Sequence, residues 1–246
     1  CNIGLENIDK VNMDKKKQNV FRGEIYFLRG FFYATLLKLY GGVPLLKTTL
    51  SFSDPIPSRS SEEDVYNFII SDLDSAATLL PITQEEVGRA TKGAAIAEKA
   101  IISNFMNKYK EAAKYAKELI TLGIYDLHPN YAELFLPTYE NNVEVIFDRQ
   151  YMENAKDKSL GSDIDQFFAP QMMGGWEAVS PTKDLIDTYE CIDGKSIQES
   201  PLYDENNPFL NRDPRLEYSI LHDGSVIADK IFSSEGRVGD GNSTRT

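Results

Sequence analysis

Trp176 is the single tryptophan in 246 residues, and it follows Gly174-Gly175 in a stretch that also holds Phe167, Phe168, Met172 and Met173. A large flat apolar face on a loop stacks on the apolar face of a pyranose ring, and nearby Asn, Gln, Asp or Arg groups hydrogen-bond the hydroxyls. The same residues allow a second reading, in which Trp176 plugs its loop onto neighbouring helices as minor core.

Other chemistries lack their residues. His128 and His222 lie far apart outside any HExxH setting, and Cys1 and Cys191 stand alone, so no metal centre is expected. No GxSxG elbow presents a nucleophile. Gly174-Gly175 and Gly239/Gly241 lack the Lys-Ser/Thr and helix of a phosphate loop. With 38 acidic residues a glycosidase-like carboxylate pair carries no signal, and Asp163/Asp165 and Asp204/Glu205 read as solvated loop acids. Asp204, Glu205, Asn206 and Asn207 cluster without the spacing of an EF-hand, so no calcium site is expected from them. No catalytic residue and no cofactor are expected.

The elements that must position Trp176 begin with a long helix over residues 19–40. Phe21, Ile25, Leu28, Phe32, Leu36 and Leu39 recur at helical spacing, and Phe27, Phe31, Tyr33, Leu37 and Tyr40 widen the stripe. Gly41-Gly42 and Pro44 stop it. Ser60 and Glu63 read as a capping box for a second helix, with Val65, Phe68, Ile69, Leu73, Ala76 and Leu80 inward and Pro81 as its end. Thr91 caps a third helix that opens with small residues; Tyr109, Ala112, Ala116 and Leu119 line a fourth, closed by Gly123. This last pair matches half of a tetratricopeptide unit, so stacked helical hairpins are expected over residues 1–125.

Residues 126–246 read as a loop-rich part of the same domain. Val143–Phe147 is an expected strand and residues 151–177 an irregular stretch. Pro181 is placed at the first position of a short helix, and residues 217–221 and 226–232 form an expected hairpin around Asp223-Gly224. The tail 236–246 is polar and Gly-rich, and both ends of the sequence look cut, as in a fragment of a longer protein. The fold class is therefore mostly α, with short strands confined to the second part.

Charge narrows the partners. Lys and Arg number 26 against 38 Asp and Glu, a net charge of −12. A phosphate-binding partner needs a basic face, so nucleic acid is excluded as the main partner and bare attraction to anionic lipid is disfavoured. Neither cysteine has a disulfide framework around it, and a free cysteine is expected to pack as a small hydrophobe.

Seven blocks in order resemble the SusD/RagB family: FRGEIYFLRGFFYATLLKLYGGVPLL from Phe21, EEDVYNFIISDLDSAATLLP from Glu62, GRATKGAAIAEKA from Gly88, YKEAAKYAKELITLGIYDL from Tyr109, NNVEVIFDRQY from Asn141, SPTKDLIDTYECIDGK from Ser180 and NRDPRLEYSILHDG from Asn211. The resemblance implies a lipid-anchored, non-enzymatic protein of the bacterial outer-membrane surface. Such a protein captures an oligo- or polysaccharide and delivers it to a SusC-like TonB-dependent transporter. A peptide-binding branch of the family and a helical-repeat interaction scaffold are the alternatives. The family's lipid-bearing cysteine lies upstream of the signature helix, so Cys1 reads as an internal helix residue, and the membrane would be reached only through an anchor missing from this chain. With the resemblance, Trp176 becomes the leading stacking residue, followed by Phe168, Tyr151 and Tyr203.

Overall fold

A computed structural model describes residues 1–55, 57–152, 161–227 and 229–233. Its contacts divide the chain into two compact units, Cys1–Pro129 with Pro137–Gln150, and Asn130–Leu136 with Tyr151–Thr246. The expected tail 236–246 lies outside the described residues.

The first unit is helical. A short helix α1 (Asn2–Asn7) precedes the long α2 (Lys15–Tyr40), followed by α3 (Glu62–Leu79), α4 (Lys92–Phe105) and α5 (Tyr109–Thr121). Helix α2 packs on α3, α3 on α4 and α4 on α5, the sequential stacking of helical hairpins. Asp14 accepts the Lys17 N–H at 3.0 Å, so α2 starts at Lys15, four residues before the expected start at residue 19. Gly41, at φ 68°, ends it in a conformation that side chains avoid.

The buried face of α2 corrects the sequence reading. Phe27 is 1% exposed and Ala34 and Leu37 are buried with it, whereas Phe32 is 55% exposed and Leu28, Leu36 and Leu39 also face outward. Small residues decide which face turns in. A Cβ on Gly23 would lie 2.9 Å from Leu80 Cγ, and one on Gly30 3.1 Å from Leu73 Cδ2, so α3 approaches where α2 is thinnest.

The second helix is capped one residue later than expected. Ser61 Oγ accepts the Asp64 N–H at 3.1 Å, in place of the Ser60/Glu63 pair. Thr91 does cap α4, accepting the Ala94 N–H at 3.2 Å. Tyr109 is exposed on α5, where Ala112, Tyr115, Ala116 and Leu119 are the half-buried positions.

Val143–Phe147 is not a strand. Asn142 Oδ1 accepts the Glu144 N–H at 2.9 Å and its carbonyl accepts the Val145 N–H at 3.1 Å, which folds the run into a turn. Its apolar residues serve the helices instead: the Phe147 ring meets Phe27 edge-on with centroids 4.8 Å apart, and Ile146 packs on the same core.

Among its described residues the second unit holds three short α-helices, α6 (Ile164–Phe168), α7 (Lys183–Thr188) and α8 (Pro214–Ser219), and a hairpin of β1 (Val226–Ile227) and β2 (Lys230–Ile231). Thr182, not Pro181, opens α7, accepting the Leu185 N–H at 3.2 Å. Asp213 accepts the Arg215 N–H at 2.9 Å with Pro214 at the first helical position, so residues 217–219 are helix and not the first arm of a hairpin. The observed hairpin pairs Val226 with Ile231 and Ile227 with Lys230, beyond the Asp223-Gly224 turn. Cys191 is buried as expected of a small hydrophobe, but Cys1 is exposed at the N-cap of α1.

Candidate functional site

Trp176 stands on a loop that hydrogen-bonds back onto its own helix. The Trp176 N–H donates to the Gln166 carbonyl at 2.7 Å, Ala178 N–H to Phe167 at 2.9 Å, and Glu177 N–H to Ala169 at 3.1 Å. Gly174, at φ 84°, makes the left-handed turn after Gln171–Met173. At Gly175 a Cβ would overlap the Ala169 carbonyl oxygen, so only glycine lets the returning chain close on α6. The glycine pair noted in the sequence is thus the device that fixes Trp176.

The indole is 52% exposed, and its ring partner is Phe167, edge-on with centroids 4.8 Å apart. Trp176 is therefore braced by Phe167 and half exposed. Phe168, the next residue on α6, is 55% exposed, and Tyr151 is also an exposed ring. Tyr203 differs: it is half-buried, and the Arg212 guanidinium carbon lies 5.6 Å from its ring centroid, covering one face. Phe167 is the partner that sequence reasoning passed over; its separation of nine residues from Trp176 has no signature without the intervening turns.

Two acidic residues at the start of α6 are unspent. The Asp163 and Asp165 carboxylates carry no hydrogen bond from any described residue. Both histidines and Asp204 are engaged within the fold. His222 stacks on Phe209 with centroids 3.9 Å apart and meets Glu217 Oε2 at 2.7 Å. His128 lies edge-on to Tyr139 at 5.1 Å. Asp204 accepts the Asn206 N–H at 2.9 Å and Asn207 Nδ2 at 2.7 Å, and these hydrogen bonds hold its carboxyl below the usual range. Among the described residues no cluster of His, Cys, Asp or Glu has the makings of a metal site, and no helix is long and apolar enough to cross a membrane.

In the helical unit, the sequence blocks noted above are tied by charge. Arg89 holds both oxygens of Glu24, Nε at 2.7 Å and Nη2 at 2.6 Å, which keeps its guanidinium more firmly charged. Arg29 does the same for Asp72. These arginines and acids are the framework of the signature helix, not ligand groups.

Helical hairpins stacked in chain order, and a loop-rich unit carrying an aromatic pair, define a tetratricopeptide-like helical scaffold. Comparison with known proteins gives the family. A family described as "Starch-binding associating with outer membrane" matches residues 1–104, and the SusD family matches residues 143–245. SusD-like protein P38 of Formosa agariphila is 29% identical over 203 residues, 74% of this chain and 39% of that protein. A SusD-like carbohydrate binding protein from Bacteroides fragilis superposes with a TM-score of 0.81 at 30% identity, over 92% of this chain and 45% of its own. A laminarin binding SusD-like protein matches at 27% identity and a TM-score of 0.58, over 61% of this chain and 35% of its own. The chain belongs to the SusD/RagB family, and it spans less than half the length of the relatives it matches.

Proposed function

We propose that this chain is the glycan-capturing part of a surface protein of the bacterial outer membrane, and that it binds by ring stacking on Trp176. The observation that carries the reading is the braced, half-open indole on a loop fixed by its own backbone hydrogen bonds. A rigid aromatic loses little side-chain freedom on binding, and stacking on a sugar's C–H face needs no deep pocket. Phe168 and Tyr151 add exposed rings on the same unit; Tyr203 is half-buried with Arg212 over one face. The relatives' names, starch-binding, carbohydrate binding and laminarin binding, support a saccharide as ligand and binding as the activity, without catalysis.

The mechanism is passive capture. Sugar rings stack on the indole, neighbouring polar groups such as the Asp163 and Asp165 carboxylates accept hydroxyl hydrogen bonds, and the loaded protein hands the glycan to a SusC-like TonB-dependent transporter. Attachment to the outer membrane is by a lipid anchor. Calorimetry with malto- and laminari-oligosaccharides tests the binding claim: saturable binding that Trp176→Ala reduces at least ten-fold supports it. Absence of binding to either series, or to other neutral glycans, overturns it. Co-purification of the anchored protein with a TonB-dependent transporter from outer membranes tests the delivery step.

A further inference from the structure

A cavity of about 450 Å³ in the second unit lies among Tyr131, Tyr189, Glu190, Asp213 and Arg215, and none of its lining residues belongs to the Trp176 loop. Its volume falls within the usual range of small-ligand sites. The backbone beneath is fixed: Cys191 bridges Arg212, the Asp213 N–H donates to the Glu190 carbonyl at 2.9 Å, and Cys191, Arg212 and Leu216 are buried.

The groups at this cavity are pinned but not spent. Asp213 accepts Arg215 Nε at 3.0 Å and also meets Nη2, and these hydrogen bonds hold its carboxyl below the usual range. Arg215 is thereby oriented with Nη1 unbonded, and neither the Glu190 carboxylate nor the Tyr189 hydroxyl has a hydrogen bond from a described residue. Tyr131 adds an exposed ring, its hydroxyl 3.3 Å from Ser219 Oγ and its centroid 6.4 Å from that of Tyr218. The 280 Å³ pocket of the helical unit is a contrast. There Arg89 is bonded to Glu24 and Glu86, Tyr125 to Thr91, and Asn141 to Gln150.

A fixed guanidinium donor, an open carboxylate acceptor and an exposed phenol ring select a particular ligand chemistry. An anionic ligand would meet Glu190 and a cationic one Arg215, whereas a neutral vicinal diol donates to the first and accepts from the second. We infer that this cavity is a second saccharide subsite, taking a neutral pyranose between Glu190 and Arg215 with its C–H face toward Tyr131. The inference rests on the glycan-binding reading above and adds a site independent of Trp176.

The test is a ¹H–¹⁵N titration of the full 246-residue chain with maltotriose and laminaritriose, in the parent, Trp176→Ala and Trp176→Ala/Glu190→Gln forms. The Tyr189, Glu190 and Arg215 amides should shift saturably in Trp176→Ala, and Glu190→Gln should weaken that binding about ten-fold, the usual scale for a hydrogen bond to a charged group. Glu190→Gln removes no intramolecular hydrogen bond, only an exposed charge near Arg215, so loss of folding does not confuse the result. Shifts confined to residues 163–178 would overturn the second subsite and leave the glycan reading standing. Shifts at the cavity that Glu190→Gln does not weaken would overturn it as well. Silence at both places, with longer oligosaccharides also unbound, would sink both readings together.

Discussion

The Arg29 guanidinium and the Asp72 carboxylate meet in a two-point ion pair between α2 and α3, Nε to Oδ2 at 2.7 Å and Nη2 to Oδ1 at 2.8 Å. Both residues are buried, and Arg29 also donates to Asn2 Oδ1 at 2.8 Å and lies 4.9 Å from the Phe68 ring centroid. Burial alone would weaken the guanidinium's hold on its proton, but the hydrogen bonds to Asp72 more than offset that and keep it charged. Asp72→Ala strands a buried cation and should cost about 3–5 kcal/mol. Arg29→Met/Asp72→Leu, which removes both charges, should recover most of that loss. Urea unfolding of the two variants checks the pair of outcomes.

Helix α2 gives a sharper test of which face is core. Phe27→Ala should cost about 3–5 kcal/mol by opening a cavity against Phe31 and Phe147. Phe32→Ala, on the exposed side, should stay within about 0.5 kcal/mol. Equal losses in chemical denaturation would restore the stripe that the hydrophobic spacing first marks.

Glu98 is buried on α4 with Lys38 Nζ 3.4 Å away, and burial pushes its carboxyl above the ordinary 4.5 more than Lys38 lowers it. A raised carboxyl favours folding while protonated, and that advantage is present below 4.5 and lost as pH rises through the folded-state value. Glu98→Gln should therefore gain stability relative to the parent as pH rises from acid toward neutrality. Denaturation midpoints measured across that window should show the difference moving toward the variant; movement the other way would contradict the burial account.

Gly175 has no ligand to touch, yet it closes the loop under Trp176. Gly175→Ala should lower oligosaccharide affinity at least ten-fold, about 1.4 kcal/mol, by pushing the indole off its Phe167 brace. Far-UV dichroism should stay unchanged, because the stacked helices lie in the other unit. Unchanged affinity would show that the loop's closure does not position the platform.

Much of the helical unit is legible in the sequence because helix caps and stops are local chemistry. Thr91, Gly41 and Gly123 act where their residue types say they should. What failed depends on contacts distant in sequence. The wrong face of α2 looked richer in large apolar residues, but Gly23, Gly30 and Ala34 set the close approach of α3. Val143–Phe147 has β-branched composition, yet two asparagine hydrogen bonds and a phenylalanine socket on α2 turn it into a plug. At the candidate site, Trp176 and the glycine pair could be read directly, whereas the Phe167 brace needed the fold. Residues such as Glu190 and Arg215 carry no spacing signal, since a turn and an N-cap bring them to one cavity.

Because Trp176 is the one tryptophan of these 246 residues, its fluorescence reports on the proposed platform without interference. Titration with malto- and laminari-oligosaccharides, alongside calorimetry on the same samples, is the most direct test of glycan capture. The account predicts a saturable spectral change whose midpoint matches the calorimetric one, with affinity lost in Trp176→Ala. Calorimetric binding with a silent indole would contradict the placement of the site at Trp176, and no binding by either method would contradict glycan capture itself.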